Sequence, residues 1–315
     1  MTRARPTAGR EARAAGSSAV PAPNPLAGEL RPGQSIELLK ELHILTREGK
    51  LNQDSRRKLK QVYHLYQFIE KLLDELPVKP GAQITLADHG AGKSYLGFIL
   101  YDLYFKDRTQ GHIYGIETRS ELVEKSAALA AKLDFARMSF INLTVAESAS
   151  SSRLPEQVDV VTALHACDSA TDDAIAFGLE KKARAFVLVP CCQAEVARHL
   201  NQGKVLSLNR TPLAELWRHP LHTREMGSQI TNVLRCLYLE ACGYQVTVTE
   251  LVGWEHSMKN ELILARFTGQ RKRSSGQRLL AILQEFGISA LLDTRFTYIK
   301  DNLSDNGIPS SDVMV

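Results

Sequence analysis

One stretch of the sequence, residues 84 to 190, alternates short apolar segments with helical patterns, and it constrains the fold more than any other feature. The apolar segments predict strands at Ile84–Asp88, His112–Glu117, Met138–Leu143, Val158–Leu164 and Ala185–Pro190. Helical patterns lie between them near Ser94–Phe105, Ser120–Leu133 and Ala170–Leu179. This alternation is typical of a parallel sheet covered by helices on both faces, so we predict an α/β fold.

The sheet is predicted to close with a different connection. A polar segment from Gln193 to Glu225 is followed by a helical pattern from Met226 to Cys242. Two alternating strands, Gln245–Val252 and Glu261–Phe267, come next, and only Gly253–Asn260 separates them. A connection this short favours an antiparallel pair. The complete sheet would then have seven strands.

The ends of the chain have other patterns. Residues 1–32 are rich in Arg, Ala, Pro, Ser and Gly and predict a disordered tail. Residues 33–78 predict a helical extension with helices at Ser35–Glu48 and Ser55–Leu76. The sheet domain takes residues 79–268, and residues 269–315 add a helix near Gln277–Phe286 and a loose tail from Asp301.

Composition sets limits on partners. The 315 residues are 44% hydrophobic and 23% charged, which fits one main globular domain with appendages. Five irregularly spaced cysteines predict neither a metal site nor a disulfide framework and favour a reducing, cytoplasmic setting. No apolar stretch approaches the roughly 20 residues that cross a bilayer, so no membrane partner is expected. The net charge of +4 permits an anionic partner such as RNA, and the oligomeric state stays open.

A glycine turn follows the first predicted strand. Asp88 ends the strand, and Gly90 and Gly92 lie where the chain turns into a helix. Glycine lets the backbone approach a ligand closely. Glu117 ends the next strand, where a carboxylate can accept hydrogen bonds from both hydroxyls of a ribose. These residues together predict a nucleoside pocket.

Three other interpretations of this turn are open. The run Gly92-Lys93-Ser94 is similar to the end of a P-loop, but the first glycine of that motif would fall at Ala87. A dinucleotide-dependent dehydrogenase would share the turn and the acid, although the missing third glycine and the seven-strand order disfavour it. A domain of this fold could also bind a cofactor without catalysis.

The run Asp88–Gly92 resembles the first motif of class I S-adenosylmethionine-dependent methyltransferases, and Glu117 matches their ribose-binding acid. The resemblance implies a seven-stranded Rossmann-like sheet and S-adenosyl-L-methionine as cofactor. By the same resemblance Asp88 faces the methionine end of the cofactor. The flanking positions it implies are Val145 and Ala146 beside the adenine, and Leu164 and His165 on the other side.

Three segments at the ends of strands narrow the resemblance. The sequence has Leu164-His165-Ala166-Cys167 after the fourth strand, Pro190-Cys191-Cys192 after the fifth, and Glu255–Asn260 before the last. Together they resemble a methyltransferase domain family that includes eukaryotic tRNA ribose methyltransferases, over approximately residues 59–267. Unlike those enzymes, this chain has no zinc-finger spacing. The methyl acceptor is therefore inferred from the relatives and from charge.

Candidate catalytic and substrate-side residues come from the same segments. His165, Glu255 and His256 could act as a base, which methyl transfer needs only if the acceptor must lose a proton. Packing or turn-forming roles for the histidines are the alternative. The candidate substrate-side residues are the basic run Arg56, Arg57, Lys58 and Lys60, together with Cys191, Gln193 and Lys259. A solvated helix face would explain the basic run equally well, and the cysteine could simply pack in the core.

The sequence therefore predicts an S-adenosylmethionine-dependent methyltransferase that acts on RNA. One alternative is the same enzyme acting on a protein or a small molecule. The other is a noncatalytic nucleic-acid-binding module, against which the intact Asp88 and Glu117 argue.

Overall fold

The structure is a computed structural model that describes residues 28–77, 83–164, 168–190, 193–201, 212–251 and 261–304. The chain divides into two units, residues 1–34 and residues 35–315. All helices and strands described below belong to the second unit. The tail predicted for residues 1–32 lies mostly outside the described ranges.

A seven-stranded sheet forms the centre of the second unit. Its strands are β1 (Thr85–His89), β2 (His112–Glu117), β3 (Met138–Asn142), β4 (Val160–Leu164), β5 (Ala185–Val189), β6 (Tyr244–Glu250) and β7 (Glu261–Phe267). Their order in the sheet is β3-β2-β1-β4-β5-β7-β6. Strands β1 to β5 pair in parallel, and β7 pairs antiparallel with both β5 and β6. The predicted α/β fold, a seven-stranded Rossmann-like methyltransferase sheet, is confirmed.

The helices lie around this sheet in chain order. They are α1 (Ile36–Glu41), α2 (Gln53–Glu75), α3 (Tyr95–Leu100), α4 (Ser120–Lys132), α5 (Val145–Ser150), α6 (Ala170–Glu180), α7 (Glu195–Asn201), α8 (Pro220–Ala241), α9 (Arg273–Glu285), α10 (Leu291–Thr294) and α11 (Thr297–Ser304). A π-helical turn, Tyr101–Phe105, continues α3, and a 3-10 turn, Pro212–Trp217, precedes α8. Every residue of β5 is buried, as a strand covered on both faces requires.

The N-terminal helices differ from the sequence-based prediction. Helix α1 ends at Glu41 instead of Glu48, because His43 has a φ of 55° and a left-handed residue cannot continue a helix. Helix α2 begins at Gln53, where the side chain of Asn52 caps it by accepting a hydrogen bond from the Ser55 amide. The basic run therefore starts at the end of the first turn and extends into the second.

The second half of the chain contains more helix than the sequence predicted. The segment predicted as polar from Gln193 to Glu225 contains α7 and the start of α8, which begins at Pro220, a favoured first helical residue. The C-terminal region adds α10 and α11, so the chain is still helical past Asp301. Phe296 and Ile299 from this region are buried in the core cluster.

None of the helices in the described ranges is both long enough and apolar enough to cross a membrane. Within the same ranges, no group of three or more His, Cys, Asp or Glu side chains could hold a metal ion.

Candidate cofactor and substrate site

The turn after β1 has the backbone geometry that its glycines allow. Gly90 has a φ of 68° and Gly92 a φ of 58°, both in the left-handed region. The Ala91 amide donates to the carbonyl of Ile116 at 3.0 Å, which fixes the turn against β2. Ser94 is also left-handed, with a φ of 49°, and its amide donates to the Ala91 carbonyl at 2.7 Å. The turn is therefore held by its own backbone at the carboxyl edge of the sheet, where open α/β folds bind ligands.

Asp88 is a buried carboxylate at the end of β1. Thr162 Oγ1 donates to Asp88 Oδ1 at 2.8 Å, and Ser94 Oγ donates to Asp88 Oδ2 at 3.1 Å. Burial raises the pKa of Asp88 to about 6, although both hydroxyl hydrogen bonds favour the ionised form. Among the described residues its hydrogen-bond partners are neutral hydroxyls. A cation brought by a ligand would be the partner that lowers this pKa.

Glu117 ends β2 beside the turn, and its carboxylate is ionised. Its partners are the Gly92 amide at 2.8 Å, the Arg119 amide at 3.0 Å, Arg119 Nε and Nη2 at 3.0 and 3.2 Å, and the Thr118 hydroxyl at 3.2 Å. Burial opposes ionisation, but these hydrogen bonds outweigh it and lower the pKa of Glu117 to about 2. The carboxylate is an acceptor that a ligand's hydroxyl groups could use by displacing some of these donors.

His89 lies between these two acids in the sequence, and its ring is buried. The ring centroid is 5.4 Å from that of Phe177 on α6. Within the part of the chain that the structure describes, neither ring nitrogen has a hydrogen-bond partner. Burial lowers the pKa of His89 to about 4, against the attraction of the Glu117 charge, so the imidazole is neutral at physiological pH.

The other predicted cofactor residues are only partly described. Leu164 ends β4 and is half-buried at the carboxyl edge. Val145 and Ala146 begin α5, which follows β3 and starts with a capping box between Thr144 and Glu147. Their side chains lie outside what the structure describes, so the adenine assignment stays a prediction.

The predicted catalytic residues and most of the substrate-side segments also lie outside the described ranges. These residues are His165, Cys191, Glu255, His256 and Lys259. Their roles remain predictions from the sequence.

Two parts of the predicted substrate side are described. Gln193 is buried, and its amide donates to Asn232 Oδ1 at 3.3 Å. The basic run Arg56, Arg57, Lys58 and Lys60 is exposed on α2. Within it, Arg57 Nη1 lies 3.8 Å from Asp54 Oδ1.

A groove of about 520 Å³ lies near the glycine turn. Its basic side chains are Lys93, which directly follows Gly92, and Lys125 and Lys132 on α4. Lys132 is 2.6 Å from Glu41, whereas Lys93 and Lys125 form no ion pair in the described ranges. The other lining side chains are the apolar or aromatic Leu42, Tyr95, Leu122, Ala128 and Leu129 and the polar Glu41, His43 and Ser126. The groove combines positive charge with apolar surface.

Sequence reasoning missed three residues of the site. Thr162 and Ser94 hold Asp88, and Arg119 holds Glu117. Thr162 comes from a different strand, and no sequence pattern identifies it because the contact depends on strand order. Arg119 follows Glu117 by two positions, and this spacing alone could have suggested the ion pair.

Comparison with known families supports a methyltransferase. Residues 57–199 match the model of a family described as a methyltransferase domain. The match covers the glycine turn, Asp88, Glu117 and strands β1 to β5. This match and the sheet topology support a class I methyltransferase. A search of curated proteins found no match.

Several solved structures have a similar chain path at low sequence identity. The CMeT domain of a citrinin polyketide synthase has a TM-score of 0.43 at 13% identity, over 70% of this chain and 58% of that chain. Fibrillarin from Methanococcus jannaschii, a pre-rRNA processing protein, has a TM-score of 0.40 at 13% identity, over 66% of this chain and 76% of that chain. Magnesium protoporphyrin IX methyltransferase from Synechocystis PCC 6803 has a TM-score of 0.42 at 12% identity, over 73% of this chain and 94% of that chain.

Proposed function

We propose that this protein is an S-adenosylmethionine-dependent methyltransferase that acts on RNA. The observation that carries the proposal is the pair of acids on neighbouring strands, Asp88 and Glu117, on either side of the glycine turn. Their pKa values are shifted in opposite directions, to about 6 and about 2. Carboxylates with pKa values shifted apart in this way are typical of functional sites.

The residues present fit this cofactor. Glu117 would accept hydrogen bonds from the ribose hydroxyls, and Asp88 would face the ammonium of the methionine end. A buried carboxylate that has only hydroxyl donors among the described residues gains most from such a cation. The left-handed glycines leave open space beside the turn, since a Cβ on Gly90 would meet no atom within 4 Å. When bound, the cofactor supplies an electrophilic methyl group on sulfur.

RNA is the acceptor that the charge distribution favours. The groove beside the turn contributes Lys93 and Lys125, and the exposed run on α2 adds four more basic residues. Phosphate contacts from Lys and Arg provide most of the sequence-independent affinity for nucleic acids. The proposed base, if the acceptor is a hydroxyl, is His165, Glu255 or His256, as the sequence suggests. A protein or small-molecule acceptor is the second candidate.

Cofactor binding is the first test. Isothermal titration calorimetry should give a Kd in the micromolar range, about −8 kcal/mol. Glu117→Ala should weaken binding markedly, whereas Glu124→Ala, an exposed acid on α4, should not. A folded wild-type protein that binds neither S-adenosylmethionine nor its demethylated product would overturn the enzyme proposal. If that protein still bound RNA, the noncatalytic module would be the better interpretation.

The acceptor is tested separately. Purified protein and tritiated cofactor are incubated with the RNA, protein and small-molecule fractions of cells that lack the protein. Label in RNA, followed by mass spectrometry of its nucleosides, would support the proposal and identify the modified base or ribose. Label only in the protein or small-molecule fraction would overturn RNA as acceptor but keep the methyltransferase.

A further inference from the structure

Helix α8 presents three polar side chains on one face. Ser228, Asn232 and Arg235 are spaced four and three positions apart, so they lie above one another along the helix. Asn232 and Arg235 are buried, and Arg235 is completely inaccessible to solvent. Burying an arginine is costly unless its charge and its donors are all satisfied. Arg235 can therefore be buried only because the residues around it pair with its charge and accept its hydrogen bonds.

Arg235 holds the segment that follows β4. Its Nε and Nη2 donate to the two carboxylate oxygens of Asp172 at 2.8 and 2.5 Å. Nη2 also donates to the backbone carbonyl of Asp168 at 2.8 Å. Asp168 has a φ of 51°, an unfavourable conformation for a residue other than glycine. Arg235 thus holds Asp168, a strained residue that lies three positions after the predicted base His165.

Asp168 in turn fixes the segment that follows β5. Its Oδ1 accepts hydrogen bonds from the backbone amides of Ala194 and Glu195 at 3.0 and 3.1 Å. Its Oδ2 accepts from Arg198 at 3.1 Å. The carboxylate therefore joins the ends of β4 and β5, the two parallel strands whose carboxyl ends face the expected acceptor.

Asn232 forms hydrogen bonds with Gln193, Arg235 and Glu261. Its Oδ1 accepts from Gln193 after β5, at 3.3 Å, and from Arg235 Nη1 at 3.1 Å. Its Nδ2 donates to Glu261 Oε2 at 2.6 Å, at the first residue of β7. Ser228 completes the set by donating to Gln193 Oε1. One side chain amide thus links the segment after β5, the arginine, and the start of β7.

We infer that the polar face of α8 positions the methyl acceptor by fixing the three chain segments at the carboxyl edge, with Asn232 as the positioning residue. The inference rests on the proposed function. Each of the three segments borders residues predicted to contact the acceptor or its proton: His165, Cys191, and Glu255 to Lys259. A buried network whose members are all satisfied favours one arrangement, because breaking one bond leaves a polar group unpaired.

Asn232 allows a test in which charge and hydrogen bonding are separated. In Asn232→Asp, the carboxylate still accepts from Arg235 and Gln193 but cannot donate to Glu261, and two carboxylates face each other. In Glu261→Gln, the Asn232 amide still finds an acceptor, so this variant is the matched control. The double variant restores the bond with its direction reversed, because the glutamine amide donates to the aspartate.

The measurements are single-turnover methylation of the RNA fraction with tritiated cofactor, cofactor affinity by calorimetry, and melting temperature. We expect Asn232→Asp to lose about 100-fold in methylation rate, the cost of a small misplacement of reacting groups, at temperatures where it is fully folded. Its cofactor affinity should be unchanged. Glu261→Gln should behave as wild type, and the double variant should recover most of the rate.

Several outcomes would overturn the inference. A fully folded Asn232→Asp variant with the wild-type rate would do so, as would a parallel loss of cofactor affinity and melting temperature. Failure of the double variant to recover the rate would remove the Asn232–Glu261 bond from the explanation.

Hydrogen exchange distinguishes this inference from the proposed function if wild-type protein methylates no RNA. The amides of Ala194 and Glu195 are bonded to Asp168 Oδ1, so exchange reports on the segments directly. We expect faster exchange at both amides in Asn232→Asp and protection restored in the double variant. Unchanged exchange in the single variant would show that Asn232 does not hold these segments.

Discussion

The guanidinium of Arg119 donates two hydrogen bonds to the carboxylate of Glu117, from Nε at 3.0 Å and from Nη2 at 3.2 Å. The backbone amides of Arg119 and Gly92 take up further acceptor positions on the same carboxylate. A Cβ on Gly92 would lie 3.9 Å from Arg119 Nη2, so the guanidinium extends over the turn. Ribose hydroxyls that bind Glu117 must therefore compete with Arg119 for its oxygens.

The first prediction follows from this competition. The Arg119 side chain is 62% exposed, so solvent screens the ion pair and its net contribution is small. Arg119→Ala should consequently tighten cofactor binding by up to about fivefold, as calorimetry can measure. Glu117→Gln should weaken it. If Arg119→Ala weakened binding as much as Glu117→Ala, the arginine would be part of the binding site and not a competitor.

The second prediction concerns the buried carboxylate of Asp88. Its pKa in the folded protein, about 6, exceeds the unfolded value of 3.8, so the folded state binds more protons between these values. By linkage its contribution to the free energy of unfolding is present below about pH 4 and is lost as the pH rises to about 6. Asp88→Asn should therefore stabilise the cofactor-free protein at pH 8 by at most about 3 kcal/mol, with little gain near pH 4.

Denaturant unfolding at several pH values tests this expectation. The same variant should bind the cofactor more weakly, because a neutral amide cannot pair with the ammonium. An equal pH dependence of stability in wild type and Asp88→Asn between pH 4 and pH 8 would contradict the raised pKa of Asp88. Retained cofactor affinity would contradict the assignment of Asp88 to the methionine end.

The third prediction concerns His89, whose titration acts in the opposite direction. Its folded pKa of about 4 lies below the unfolded value of 6.5, so the unfolded chain binds more protons in this interval. Stability is therefore lost as the pH falls from about 6.5 to about 4. His89→Leu should remove this loss, so that between pH 8 and pH 5 the free energy of unfolding of wild type falls by about 2 kcal/mol more than that of the variant. Equal losses in the two proteins over this pH range would contradict the lowered pKa of His89.

Much of the fold was readable from the sequence because it depends on local patterns. The strand segments of β1 to β5 alternate with helices, and the short link before Glu261 indicated the antiparallel pair. The glycine turn and Glu117 were found because backbone geometry and a strand end determine them. The left-handed conformation of His43, which ends α1 early, has no comparable signal in the sequence.

The contacts between distant elements were not readable from the sequence. Asp88 and Thr162 meet because β1 lies beside β4, and Arg235 of α8 meets Asp172 of α6 through its long side chain. The positions involved are 74 and 63 residues apart. No periodic pattern predicts such pairs, because a polar residue in a helical pattern is normally assigned to the face that contacts solvent. A buried arginine is therefore the type of residue that sequence analysis assigns wrongly to the surface.

The fourth prediction separates the groove from the rest of the basic surface. Lys93→Gln with Lys125→Gln should lower the salt dependence of RNA binding by about 1.5 in the slope of log K against log salt, from two lost phosphate contacts. Lys71→Gln with Lys182→Gln is the matched control, because both lysines are exposed outside the groove. Filter binding of a tRNA transcript at several salt concentrations measures the slope. Equal slopes in the two double variants would remove the groove from RNA binding.

The last prediction concerns the contribution of the Arg235–Asp172 pair to the free energy of unfolding. Arg235→Met leaves the Asp172 carboxylate, whose side chain is 8% exposed, without its cation, and breaking a buried pair from one side costs about 3–5 kcal/mol. Asp172→Leu alone should cost a similar amount, because it leaves the arginine buried and unpaired. The double variant removes both charges, so its loss should be much smaller than the sum of the two. Urea unfolding of the four proteins measures this coupling. Strictly additive losses would mean that the two charges do not stabilise each other, and that Arg235 is held mainly by the Asp168 carbonyl and Asn232.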